Sequence, residues 1–191
     1  MGPFSFIHDR FERLAARMQQ GDERAARELY DELLRKVYGF CMARVSDRAV
    51  AEDLTQDIFL KLVSHIAQFD SSKGRFLVWF WRLARNTVID HYRRGKEMVF
   101  SDLPHSEEDQ NPEESLAWVE GPERETERQL TLGHVNVFLA KLDQEEQELF
   151  RLRFVAELSY REIADILGRN EGALRVATSR LKKKINHHFS T

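Results

Sequence analysis

A chain of 191 residues has room for one large domain or two small ones, and its 42% apolar content suffices for small cores. Its single cysteine, Cys41, excludes a disulfide framework and suits a reducing compartment. The net charge of −3 hides an asymmetry: +3 over residues 1–95 (16 basic, 13 acidic), −8 over 96–130 (3 basic, 11 acidic) and +2 over 131–191 (10 basic, 8 acidic). No apolar run approaches the roughly 20 residues of a membrane span, and no signal-peptide core opens the chain. These features predict a soluble cytoplasmic protein with two mildly basic bodies around an acidic connector.

Residues 1–7 are expected to fray. Phe11, Leu14, Ala15 and Met18 then recur at helical spacing. Gly21-Asp22 breaks and recaps the chain, and Ala25, Leu29, Leu33, Val37 and Phe40 outline a second helix carrying Tyr30 and Tyr38. After a turn at Ser46-Asp47, a third helix runs from Ala49 to about Phe69, with Leu54, Ile58, Leu62 and Ile66 in one apolar row and Phe59 and Val63 beside it. A polar loop, 70–74, precedes a fourth helix from Phe76 to Arg94 that is expected to stop at Gly95. This helix is aromatic and basic together. Trp79, Phe80 and Leu83 read as core, whereas Trp81 and Tyr92 fall off that row, beside Lys73, Arg75, Arg82, Arg85, Arg93, Arg94 and Lys96. Aromatic and basic surface suits unstacked single-stranded bases, and Asn86 has the donor and acceptor for a flipped base edge.

Residues 98–128 hold three of the four prolines and clustered carboxylates without a sustained apolar period, which predicts a flexible acidic linker, with a short helix near 116–119. Helix resumes from about 127 to 142. Asp143 with Glu146 predicts a capped helix through Leu149, Phe150, Leu152 and Phe154. Ser159 with Glu162 is a capping box, Gly168 supplies the left-handed stop, and Asn170 caps a last helix whose inward residues are Leu174, Ala177, Leu181 and Ile185. His187-His188 are expected to fray. The helix–turn–helix spacing places Gly172, Arg175, Val176, Ser179, Arg180 and Lys183 on the outward face, with Arg169 at the turn. Arg175 suits a bidentate pair with guanine, Val176 a thymine methyl, and the bare turn at Gly172 a phosphate. The predicted fold is all-α: two small helical domains, 1–97 and 129–191, joined by the acidic linker 98–128.

The segments 53–60, 76–86 and 90–94 closely resemble domain two of bacterial sigma factors, and 158–181 resembles their domain four. Joined directly, with no room for domain three, they resemble the extracytoplasmic-function (group IV) sigma factors over nearly the whole chain from about Met18. The resemblance implies polymerase docking by Asp53, Gln56 and Asp57 on the β′ clamp coiled coil. It implies a pocket for a flipped −10 base in the loop 69–75, from Phe69 through Lys73 to Arg75, with Asn86 contacting the base. Arg82, Arg85 and Arg93 would hold the melted strand or its phosphates, beside Trp81 of the aromatic and basic surface. The −35 duplex would be read by Arg169, Gly172, Arg175, Val176, Ser179, Arg180 and Lys183, while domain four meets the β flap. Promoter DNA, core RNA polymerase and an anti-sigma factor are the partners so implied, without membrane insertion.

No Walker loop, zinc-ligand cluster or serine–histidine–acid arrangement appears, so neither enzyme, cofactor nor metal is expected. An operator-binding helix–turn–helix regulator is the alternative; it leaves the aromatic–basic helix unexplained and lacks an obvious dimerisation zipper.

Overall fold

The computed structural model describes residues 3–45, 47–101, 135 and 137–189, with backbone alone for 3–8 and 94–101. The expected linker helix at 116–119, and the start of the helix expected from 127, lie outside the described residues. Among the described residues there is no strand, so the all-α fold holds.

Four helices build the N-terminal unit: α1 (Pro3–Gln19), α2 (Glu23–Met42), α3 (Arg48–His65) and α4 (Phe76–Ser101). Asp22 caps α2 by accepting from the Arg24 and Ala25 amides, and Asp47 caps α3 through Val50 N. The hydrogen bond from Arg17 to Asp22, ahead of its backbone bonds, holds the Asp22 carboxyl below the usual carboxylate range. Helix α4 takes its cap from elsewhere in the fold: Phe76 N donates to Glu12 Oε1 of α1 at 2.7 Å. Gln19 of α1 donates to the Ile66 and Phe69 carbonyls, fixing the 3₁₀ turn Ile66–Gln68 that follows α3.

Three boundaries differ from expectation. Backbone helix already begins at Pro3. The third helix ends at His65 and tightens into the 3₁₀ turn. The fourth continues through Gly95 to Ser101, because glycine within a helix costs only about 1 kcal/mol and flanking hydrogen bonds carry the ladder across it.

The core of this unit is aromatic. Phe40, Phe76, Phe80 and Trp81 are at most 1% exposed. The Trp81 ring meets Phe40 edge-on at 5.3 Å and Phe80 at 5.5 Å, while Phe76 stacks on Phe80 at 6.0 Å. Cys41 lies buried beside them, and burial pushes its thiol up to about 11 despite a hydrogen bond with Thr55.

In the C-terminal unit, Asp143 caps α5 (Gln144–Phe150) through Glu146 N, and one turn of π-helix follows, Arg151–Val155. Next come α6 (Tyr160–Leu167), with both halves of its capping box formed by Ser159 and Glu162, and α7 (Glu171–Phe189). Leu174, Thr178 and Leu181 are the buried residues of α7, and Ala177 and Ile185 are half-buried beside them. The Thr178 hydroxyl satisfies itself on the Leu174 carbonyl, which makes it an acceptable core residue. The histidine tail is helical rather than frayed, because the His188 and Phe189 rings pack on Phe138 at 5.2 and 5.7 Å.

The two units touch. Helix α4 lies against α6, and α2 against the π turn. Gly39 admits the close approach: a Cβ there would sit 3.1 Å from Val155 Cγ1.

Replacing Trp81 by Ala should lower the unfolding free energy by about 3–5 kcal/mol in urea titration, whereas Trp79→Ala, at a half-buried position, should cost clearly less.

Candidate nucleic-acid interface

The outward face of α7 is built by local rules. Gly168 adopts φ +65°, which frees the chain to turn, and Asn170 Oδ1 accepts from Gly172 N and Ala173 N to start the next helix. Gly172, Arg175, Val176, Ser179, Arg180 and Lys183 are all exposed along one side, and Val176 is 53% exposed. An apolar side chain held in water between cations on a helix face is suited to a base-edge methyl in a major groove. Arg175 is positioned rather than loose: its guanidinium pairs with Glu171 at 2.5 Å and lies over the Tyr160 ring at 4.7 Å. Arg169, at the turn, pairs with Glu145 at 2.7 Å.

The second surface lies between α3 and α4. A cleft of about 370 Å³ is lined by Lys61, His65, Trp79, Arg82, Asn86 and Thr87, among others. Asn86 and Arg82 are exposed on one stripe of α4, and Trp79 is half-buried one turn before them. An aromatic ring, an amide and two cationic side chains around a base-sized cleft provide stacking, edge hydrogen bonding and phosphate attraction together. The sequence reading missed Lys61 and His65, which stand one turn apart on α3. Lys61 Nζ donates to the Thr87 hydroxyl, and His65 Nδ1 bonds the Lys61 carbonyl.

Two of the expected base-contacting aromatics are displaced from this surface. Trp81 is 1% exposed and Phe69 7% exposed, so neither presents a ring face to a base. Consecutive residues lie about 100° apart on a helix. Packing on Phe40 turns Trp81 inward, which leaves Trp79 to border the cleft. Phe69 packs edge-on against Phe76 at 5.5 Å and tilts against Trp79 at 5.5 Å, and so supports the cleft wall from behind. In the loop, Lys73 and Arg75 are exposed. Asp70 accepts from the Ser72 hydroxyl and amide and pairs with Lys73 at 3.1 Å. These bonds, the Ser72 hydroxyl first, hold its carboxyl low.

Farther along α4, Arg93 is exposed near Asp90, and the Tyr92 hydroxyl donates to the Arg44 carbonyl. Arg82 and Arg85 are engaged by the C-terminal unit: Arg82 Nη2 donates to the Asp165 carbonyl, and Arg85 Nε to Glu148 at 2.8 Å.

A third surface runs along α3. Asp53, Gln56 and Asp57 are exposed on one face, and Leu60 and Val63 extend it at 64% and 60% exposure. Of the two residues expected beside the apolar row, Phe59 is buried and Val63 is exposed. Two large apolar side chains thus stand in solvent a helical turn apart beside these carboxylates. Among the described residues no cluster of three or more His, Cys, Asp or Glu could hold a metal, and no helix is long and apolar enough to cross a membrane.

Residues 29–97 match the family model of Sigma-70 region 2 and residues 136–185 that of Sigma-70, region 4. The α3–α4 cleft and the α3 stripe thus fall in region 2, and the outward face of α7 in region 4, of a two-domain sigma factor. The chain is 31% identical over 166 residues to the ECF RNA polymerase sigma factor BldN of Streptomyces coelicolor, covering 85% of this chain and 59% of that relative. It is 30% identical over 172 residues to the ECF sigma factor RpoE of Cereibacter sphaeroides, covering 86% and 88%. Against the ECF sigma factor SigM of Bacillus subtilis it is 28% identical over 160 residues, covering 83% and 91%. Among solved structures, the fold resembles CnrH in complex with the cytosolic domain of CnrY (TM-score 0.67, 22% identity, 93% and 95% covered). It also resembles the sigma factor RpoE in complex with the anti-sigma factor NepR from Bartonella quintana (TM-score 0.64, 22% identity, 86% and 96% covered). The chain belongs to the extracytoplasmic-function, group IV, sigma factors of bacterial RNA polymerase. It is a promoter-directing factor that binds RNA polymerase, and the operator-binding alternative is not favoured.

No neighbour crowds the space a Cβ would take at Gly168, so Gly168→Ala meets only the backbone penalty of the left-handed region. It should cost about 1–2 kcal/mol in thermal unfolding.

Proposed function

We propose that the chain divides its promoter work between the two surfaces: the α3–α4 cleft captures an unstacked −10 base and α7 reads the −35 duplex. The observation that carries this reading is the cleft itself, where Trp79, Asn86, Arg82 and Lys61 converge within one base-sized space. Asn86 contacts the edge of the captured base. Arg82, Arg85 and Arg93 hold the strand's phosphates, with Lys73 and Arg75 on the loop above. In the duplex, Arg175, Val176, Ser179 and Arg180 face the bases, while Arg169, Gly172 and Lys183 meet the backbone. The functional units are 1–97 and 129–191, with 98–128 as the acidic connector between them.

Asp53, Gln56 and Asp57, continued by the apolar step of Leu60 and Val63, form the docking stripe for the β′ clamp coiled coil, and domain four meets the β flap. The factor supplies binding energy for promoter opening and leaves catalysis to the polymerase. It works in the cytoplasm. An anti-sigma factor controls it, a reading supported by the Bartonella RpoE structure, which holds NepR.

Run-off transcription with bacterial core polymerase tests this reading. Discrete start sites that depend on the protein are expected; tight duplex binding without polymerase and no new transcripts would favour the operator-binding regulator. In the same assay Asn86→Ala should lower open-complex formation about 10–100-fold, in line with one lost base contact of about 1–3 kcal/mol, with polymerase affinity unchanged. Equal loss of both would remove Asn86 from base capture. Arg175→Ala should reduce initiation at promoters carrying a −35 element by a similar factor and leave binding of a melted −10 oligonucleotide intact.

A further inference from the structure

The two sigma regions meet at one carboxylate. Glu148 of α5, in region 4, is 7% exposed. It accepts from Arg44 Nη1 and Arg85 Nε of region 2, each at 2.8 Å, with Arg151 Nη1 3.7 Å away. Arg44 lies just beyond the C-cap of α2 and Arg85 sits within α4, so both guanidiniums come from the N-terminal domain and converge on this one carboxylate. Tyr92 steadies the first: its hydroxyl donates to the Arg44 carbonyl, and its ring lies 5.6 Å beneath the Arg44 guanidinium. An oxygen anion clasped by two guanidiniums beside a tyrosine is how proteins hold a nucleic-acid phosphate. Arg85 belongs to the set assigned to the promoter strand above.

The surroundings favour an anion as well. A cleft of about 510 Å³ at this junction is lined by four guanidiniums, those of Arg44, Arg85, Arg151 and Arg169, against the carboxylates of Glu145 and Glu148. Nearby, the Asp165 carbonyl of α6 takes up Arg82. Two residues of the −10 surface are therefore occupied by domain four.

We propose that Arg44 and Arg85 form a phosphate-binding site of domain two for the melted promoter strand, and that Glu148 fills it in the free chain as a built-in phosphate mimic, holding the two domains closed. The inference rests on the promoter-strand role given to α4 and adds Arg44 to it. Opening rehydrates the charges that closure buries, so the closed state is held by an ion cluster whose net contribution is small and which a phosphate can replace. Arg151 shows the strain of this burial. It is 4% exposed and donates to the Ala43 carbonyl, and desolvation, ahead of repulsion from Arg44, pulls its guanidinium down to about 10. Beyond the cluster, closure also rests on the packing of α4 against α6, the Arg82 bond to the Asp165 carbonyl, the Lys36–Glu157 pair at 2.7 Å and the approach of Val155 to Gly39.

The test uses the full chain and fluorescence anisotropy with a labelled oligo(dT) of about 20 nucleotides. Glu148→Gln should bind it about tenfold more tightly than wild type, and adding Arg44→Gln should abolish that gain. Equal binding by wild type and Glu148→Gln overturns the mimicry, and a gain that survives Arg44→Gln overturns the phosphate site. A second experiment does not depend on the stability of these variants. Lys36→Cys, at a half-buried position, and Glu157→Cys, at an exposed one, are joined by a cleavable bis-maleimide, while Cys41 stays out of reach in the core. The joined chain should bind the oligonucleotide about tenfold more weakly than the same chain after cleavage, and equal binding overturns the closed state as inhibitory. Run-off transcription by the wild type separates the two levels. Transcripts alongside unchanged oligonucleotide binding by Glu148→Gln overturn the latch alone, whereas no transcripts overturn the sigma reading beneath it.

Discussion

Helix α4 must serve three neighbours at once, and its 100° step between residues sets how it does so. Phe76, Phe80, Trp81, Ala84 and Val88 are buried in the domain core. Asn86 and Arg82 are carried to the cleft beside α3, and Arg85 is turned toward domain four. The aromatic packing around Phe40 fixes the rotation of the helix and thereby the aim of every polar group on it. The aim of the Asn86 amide depends here on an edge-on tryptophan on the opposite side of the helix.

Much of the C-terminal half was legible in the sequence because its signals are local. A capping box spans three residues, a left-handed glycine needs no partner, and the outward face of α7 follows from the positions of Leu174 and Leu181. The fourth helix was legible as aromatic and basic, but not which tryptophan faced inward. Trp79 and Trp81 are chemically alike, and the choice was made by Phe40, about forty residues earlier in the chain. For the same reason Lys61 and His65 gave no sign of belonging with Asn86: only the packing of α3 against α4 brings them together. Glu148 is one of three glutamates in the seven residues of α5. Its partners Arg44 and Arg85 lie 104 and 63 residues away, a separation no local pattern reports.

Ion pairs occupy many of the cations that nucleic acid would need: Arg175 on Glu171, Arg169 on Glu145, Lys73 on Asp70, Arg85 on Glu148. The exposed pairs contribute little stability, commonly below about 1 kcal/mol, so exchanging a carboxylate for a phosphate costs little. What they provide is order. Each long side chain is held in one geometry, which reduces the conformational freedom it would lose on meeting a ligand.

The wide turn at Arg151–Val155 carries a geometric consequence. Its amide bonds reach back five residues, as in Ala156 N to the Arg151 carbonyl, so it holds one residue more than an α-helical turn would. Trimming that residue would restore an unbroken α-helix and swing everything after it by roughly 100° about the helix axis. Every residue of α7 would keep its identity and its cap, yet the helix would address a different direction in space. The orientation of the exposed face of α7 is thus written as a backbone phase, in a segment that precedes the helix by more than a dozen residues.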